Sequence, residues 1–181
     1  MNATFLKAFA GGVALSATTI CGLGIGAAWL LVGPAPQRFA TAAFSFQLAP
    51  GWTCGREATE YVCHLGQPPF DAIVVMTMKY RSVDDSLAKY EEHLRAPMPA
   101  VGREGYAELI SIGRPTIGGS KWVEGILRDS EIHNYDTTYL AGATAEVGIL
   151  FTLSVHANYR DIRAKDLRQM VQSLVIYQHA H

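Results

Sequence analysis

The sequence predicts an α+β protein, an α/β/α sandwich around a mostly antiparallel sheet, preceded by one transmembrane helix. Three observations carry this. Residues 8–33 (AFAGGVALSATTICGLGIGAAWLLVG) contain no Asp, Glu, Lys, Arg or His, and about 20 apolar residues suffice to cross a hydrocarbon core of roughly 30 Å. Beyond that run, stretches of period two and period 3.6 alternate in the order strands, helix, strands, helix. Consecutive strand-like stretches are joined by links of hairpin length, which favour antiparallel pairing with helices packed on the sheet.

The run at 8–33 is longer than the 7–15-residue core of a cleaved signal peptide. The nearest small-x-small site, Ala40-Thr41-Ala42, lies well beyond it, and Ile20 before Cys21 does not suit lipidation. Residues 1–33 therefore read as an uncleaved signal-anchor. Lys7 and the amino terminus on one side against Arg38 on the other lean slightly towards a cytoplasmic N-terminus. With the cysteine pair described below, the expectation is a single-pass protein of a bacterial inner membrane with a periplasmic C-terminal domain. Ala10, Ala14, Thr18, Gly22 and Gly26 recur every fourth residue and share one helix face. Such a small-residue stripe lets helix backbones approach closely in lipid. It would seat another membrane subunit or a second copy of this chain, although small residues are also common in membrane spans generally.

With 15 Lys+Arg against 16 Asp+Glu the charge is balanced, which argues against a nucleic-acid partner. Residues 34–43 read as a linker in which Pro34 and Pro36 stop the helix. The soluble domain is expected over 44–177, with a tail at 178–181. In FSFQLAPGW, Phe44, Phe46 and Leu48 alternate with Ser45, Gln47 and Ala49, as in a strand with one buried face. GWTCGREATEYVCHL then reads as a hairpin closing near Ala58-Thr59, which sets Cys54 opposite Cys63. A disulfide there would stabilise by about 2–3 kcal/mol on the chain-entropy model and would fit an oxidising compartment. Two reduced, buried cysteines are the plainer alternative. A metal site from Cys54, Cys63 and His64 lacks a completing cluster.

Residues 71–80 form a strongly apolar strand. Residues 82–95 predict a helix in which Ser82 and Asp85 have capping-box spacing and Leu87, Tyr90 and Leu94 form the buried stripe. A mobile loop through Gly102 and Gly105 follows. Strands are expected at 107–117, 121–135 and 138–156, with turns at Gly118-Gly119, near Asp136 and near Gly142. A helix over 160–174 is read from Leu167, Met170, Val171 and Leu174, followed by a short strand at 175–177.

These motifs resemble the PsbP/DcrB-like superfamily. FSFQLAPGW is similar to its aromatic-x-aromatic-x-x-x-Pro-x-Trp first strand, and SLAKYEEHL to its mid-domain helix. KWVEGILRDSE, TTYLAGA and EVGILFTLSVHA are similar to its later strands, and DLRQMVQSLVIY to its final helix and strand. The resemblance spans roughly residues 44–177. It implies an α/β/α sandwich and a non-enzymatic role, such as that of lumenal photosystem subunits, assembly factors or cell-envelope proteins. It supplies no catalytic set. The cysteine hairpin and the uncleaved anchor are not general features of the family.

The residues themselves show no G-x-S-x-G elbow, H-E-x-x-H pair or Walker loop. Asp84-Asp85 and Glu91-Glu92 diverge on a helix and do not converge as an acid–base couple. His64, His93, His133 and His156 fall in different elements, and His179 and His181 lie in the tail. No enzyme activity, cofactor or metal is expected. The function expected is that of an accessory subunit which packs into and braces a membrane protein complex. The alternative is a membrane-anchored ligand- or metal-binding protein of the cell envelope.

Overall fold

The computed structural model describes residues 37–67, 71–83 and 85–177. The apolar run, its stripe Ala10, Ala14, Thr18, Gly22 and Gly26, and Asp84, His179 and His181 lie outside the described residues. Among the described residues no helix is long and apolar enough to cross a membrane.

The described residues open with β1 (Arg38–Ala40), inside the stretch read as linker, and β2 (Phe44–Gln47). β3 (Trp52–Glu57), β4 (Glu60–Leu65) and β5 (Ala72–Tyr80) form a meander that leads into α1 (Leu87–Arg95). β6 (Glu108–Gly113), β7 (Thr116–Ile117) and β8 (Ser120–Lys121) precede a second meander. That meander is β9 (Val123–Arg128), β10 (Tyr135–Ala143) and β11 (Val147–His156). A 3-10 turn, α2 (Arg160–Gln172) and β12 (Val175–Ile176) follow.

Seven strands make the main sheet, in the order β3-β4-β5-β11-β10-β9-β6, and every pairing is antiparallel. The two meanders meet at one seam, where β5 pairs with β11 through Val74↔Leu153 and Met76↔Phe151. A separate small sheet has the order β1-β2-β12.

The sheet has a different cover on each face, because strand side chains alternate. Leu140, Phe151 and Leu153 meet Leu167 and Met170 of α2, together with Phe44 and Phe46 of the small sheet, in the larger core. Tyr139, Val123 and Leu127 point the other way and meet Leu94 of α1. The layers are therefore α1, then the main sheet, then α2 with the small sheet, which is an α+β arrangement.

Ser45 departs from simple alternation. It is buried between its phenylalanine neighbours because β2 lies between β1 and β12. Its hydroxyl is met by Arg38 Nη2 and by the Tyr177 hydroxyl, each at 2.8 Å.

Four local readings are corrected. The first helix starts later than Ser82. Asp85 Oδ2 accepts from the Ser82 amide (2.8 Å) and hydroxyl (3.0 Å), which closes a turn, and the helix is capped by Ser86, whose Oγ accepts from Lys89 N. The strand read over 107–117 breaks at Arg114-Pro115, since proline brings no amide to a ladder. The strand read over 121–135 ends at Arg128, and the turns lie at 129–134 and 144–146, so Asp136 and Gly142 sit inside β10. The loop through Gly102 and Gly105 is pinned: Arg103 Nε donates to Asp129 Oδ2 at 2.8 Å, and Val101 N to the Asp129 carbonyl at 2.7 Å.

Candidate functional site

Between α1 and the sheet lies a cleft of about 530 Å³, within the range of ligand pockets. β5, β10 and β11 supply its floor through Thr77, Ala141, Gly148 and Leu150, while Leu94 and Met98 form the helix side. Two glycines set how closely α1 approaches. A Cβ at Gly148 would lie 2.7 Å from the Tyr90 hydroxyl, and one at Gly125 would lie 3.0 Å from Leu94 Cδ1.

A hydrogen-bonded pair of side chains stands at each end. At one end Tyr90 donates to Asp85 Oδ1 at 3.1 Å, and Lys79 Nζ meets the same oxygen at 2.8 Å. Lys79 chiefly, with the Ser82 amide, holds the Asp85 carboxyl well below the usual carboxylate range. Burial pushes the Tyr90 phenol up, and the Asp85 carboxylate adds to this. At the other end the Tyr139 hydroxyl donates to Glu131 Oε1 at 2.6 Å and meets Ser130 Oγ at 3.0 Å. Burial, then Glu131, pushes the Tyr139 phenol well above its ordinary value. Among the described residues, the Thr77 hydroxyl and the His93 imidazole line the cleft without hydrogen-bond partners.

Other charged groups join elements. Asp136 is fully buried, and it accepts from Arg128 Nε (2.9 Å) and from Arg160 Nη1 (3.1 Å), which ties the start of α2 to β9 and β10. Asp136 in turn raises the Arg128 guanidinium above its ordinary value. Asp129 accepts from Arg103 and from the Asn134 amide, and Arg103 chiefly lowers its carboxyl. Trp52 Nε1 donates to Asp166 (3.0 Å), and Arg168 forks onto Glu124 (2.7 and 2.9 Å). Glu91 lies between Arg95 and Arg114, which lower its carboxyl.

Cys54 and Cys63 face each other in the β3–β4 hairpin and are joined by a disulfide. The four histidines among the described residues are spread over the domain. His64 pairs with Glu57 (2.9 Å), His93 is on α1, and His133 is in the β9–β10 loop beside Asp129 (3.5 Å). His156 ends β11, where its Nδ1 accepts from Asn158 N (3.4 Å). Among the described residues no group of three His, Cys, Asp or Glu side chains is placed to hold a metal ion. Nothing in the sequence pattern marks Thr77 or Lys79 as site residues, and His93 stands out there only as one of four histidines in different elements.

No family model matches the sequence, and neither does any curated protein. Solved structures do share the fold. Cyanobacterial PsbP (CyanoP) from Synechocystis sp. PCC 6803 aligns with a TM-score of 0.53 at 16% identity, over 81% of this chain and 96% of that one. LpqN, involved in cell envelope biogenesis of Mycobacterium tuberculosis, aligns with 0.54 at 10% identity, over 81% and 87%. The Ran-binding protein Mog1p of Saccharomyces cerevisiae aligns with 0.53 at 9% identity, over 80% and 96%. The described domain thus has the PsbP/Mog1-like α+β fold.

Proposed function

We propose that the chain is a non-enzymatic, single-span accessory subunit that packs into a bacterial membrane complex and braces it with a periplasmic domain. The observation that carries this reading is how the buried carboxylates are used. Asp85, Asp129 and Asp136 are each held by cationic side chains, and these contacts lock helix to sheet and loop to loop. Such crossings make a stiff block suited to bracing. Support also comes from the small-residue stripe Ala10–Ala14–Thr18–Gly22–Gly26, a face fit for a neighbouring helix.

The test is purification of the full chain in mild detergent. A stoichiometric membrane partner, or a second copy of the chain, is expected, and it is lost on Gly22→Leu with Gly26→Leu while the domain stays folded. A strictly monomeric chain, or association indifferent to both substitutions, overturns the reading.

A second reading, an anchored ligand-binding protein of the cell envelope, is favoured by the cleft under α1 and its two unpartnered polar side chains.

A further inference from the structure

We infer that the cleft under α1 takes a single-chain amphiphile with an anionic head, oriented with the head at Thr77, Lys79 and His93 and the tail towards Met98 and Tyr139. This rests on the second reading above and names its ligand class.

The walls are suited to an alkyl chain. Leu94, Met98, Ala141 and Leu150 offer apolar surface, and methionine adapts its shape to an irregular occupant. Tyr90, bonded to Asp85, and Tyr139, bonded to Glu131, both line the cleft, and its volume of about 530 Å³ suits a discrete small ligand.

The polar groups are unevenly placed, and this fixes the polarity of the ligand. Thr77 and Lys79 are two residues apart on β5 and so project from the same sheet face. His93 lines the cleft from α1. Lys79 already meets Asp85, but an ammonium has three donors and this side chain is 64% exposed. A hydroxyl, an imidazole and a surplus ammonium donor together suit a carboxylate or phosphate oxygen. Each end holds a carboxylate, but the one at Asp85 is met by the Lys79 ammonium, whereas Glu131 is engaged by the Tyr139 hydroxyl and would repel an anion. Charge complementarity therefore selects one orientation.

The experiment places the full chain in nanodiscs of zwitterionic lipid with a diazirine-bearing dodecanoate as photo-probe, and adducts are mapped by peptide mass spectrometry. Adducts on the peptides carrying Leu94, Met98 and Leu150 are expected. Competition by dodecanoate should exceed competition by dodecylamine. The Thr77→Val/His93→Glu variant, with its fold checked by circular dichroism, should weaken labelling about tenfold, as befits loss of a charge-assisted hydrogen bond. Equal competition by the amine, or undiminished labelling of the variant, overturns the anionic head while leaving a ligand site. Labelling in the cleft that is lost when the discs contain an anionic two-chain phospholipid overturns the single-chain assignment. Absence of adducts in the cleft overturns both this inference and the second reading.

Discussion

Replacing Gly142 by Ala tests how tightly the larger core is filled. Gly142 lies in β10 opposite Ile149. A Cβ there would stand 2.6 Å from Trp122 Cε3, 2.7 Å from Cζ3 and 3.0 Å from Cδ2. Carbon atoms prefer about 3.5–4.0 Å, so the indole must retreat by roughly 1 Å. It has little room, since Trp122 is 4% exposed, packs edge-on to Phe151 and donates from Nε1 to the Ile117 carbonyl. Overpacking costs about 1–3 kcal/mol, and loss of a neutral hydrogen bond adds roughly 1 kcal/mol. The stiffer unfolded chain of alanine offsets about 0.4–1 kcal/mol. The net loss is about 2 kcal/mol. With an unfolding entropy of about 2.1 cal/mol/K per residue over roughly 140 residues, that lowers Tm by about 7 °C.

Gly148→Ala is the matched control. Its Cβ would clash with the Tyr90 hydroxyl alone, at 2.7 Å, while Lys79 Cε and Cγ stand at ordinary contact distances of 3.7 and 3.8 Å, so its loss should stay near the roughly 1 kcal/mol of the Tyr90–Asp85 hydrogen bond. Thermal unfolding followed by near-ultraviolet circular dichroism reads both. If Gly142→Ala melts with the parent, or if Gly148→Ala loses more, the packing argument is wrong.

The Cys54–Cys63 bridge spans nine positions of sequence, so reduction should cost about 2–3 kcal/mol and lower Tm by roughly 8 °C. Melting with and without a phosphine reductant checks this, alongside a non-reducing mass. Asp85 has a depressed carboxyl pKa, so its contribution to stability is full above the unfolded value of about 4 and fades as pH falls below it. Asp85→Asn should therefore flatten the acid limb of the stability–pH curve, whereas an unchanged limb would mean the carboxylate is not held as described. Asp129→Ala removes the acceptor for Arg103 and the Asn134 amide. Amide exchange across 100–106 and 129–134 should then rise at least tenfold, with α2 unaffected.

Much of the fold was legible because its signals are local. The cysteine hairpin turns at two residues, Ala58 and Thr59, and the alternation on either side fixes the register. α2 follows the spacing of Leu167, Met170 and Val171. The β9–β10 turn was legible in principle. Asp129 and Asn134 adopt φ of 60° and 64°, a conformation that short polar side chains tolerate better than most, and they stand at both ends of the polar run misread as strand. Pro115 likewise marked the break in the 107–117 stretch. β1 carries only three residues and pairs solely with β2, so nothing in Arg38-Phe39-Ala40 separates it from a linker. The cleft was not legible at all. Its floor comes from β5, β10 and β11 and its roof from α1, and the glycines that set their spacing read in isolation only as weak strand positions.

The seam between β5 and β11 has a consequence for how the chain reaches this state. Within the main sheet it is the one pairing between the early meander and the late one, and its partners, such as Val74 and Leu153, are far apart in sequence. Closing so long a loop is entropically slow, and non-local pairings of this kind set the pace of folding. Until β11 has been synthesised, β5 stands as an unpaired edge carrying Val74 and Met76, a surface that invites aggregation. The domain is therefore assembled from two half-sheets that must both be complete before either is safe, and a chain truncated before Val147 should be recovered as aggregate rather than as a smaller folded unit.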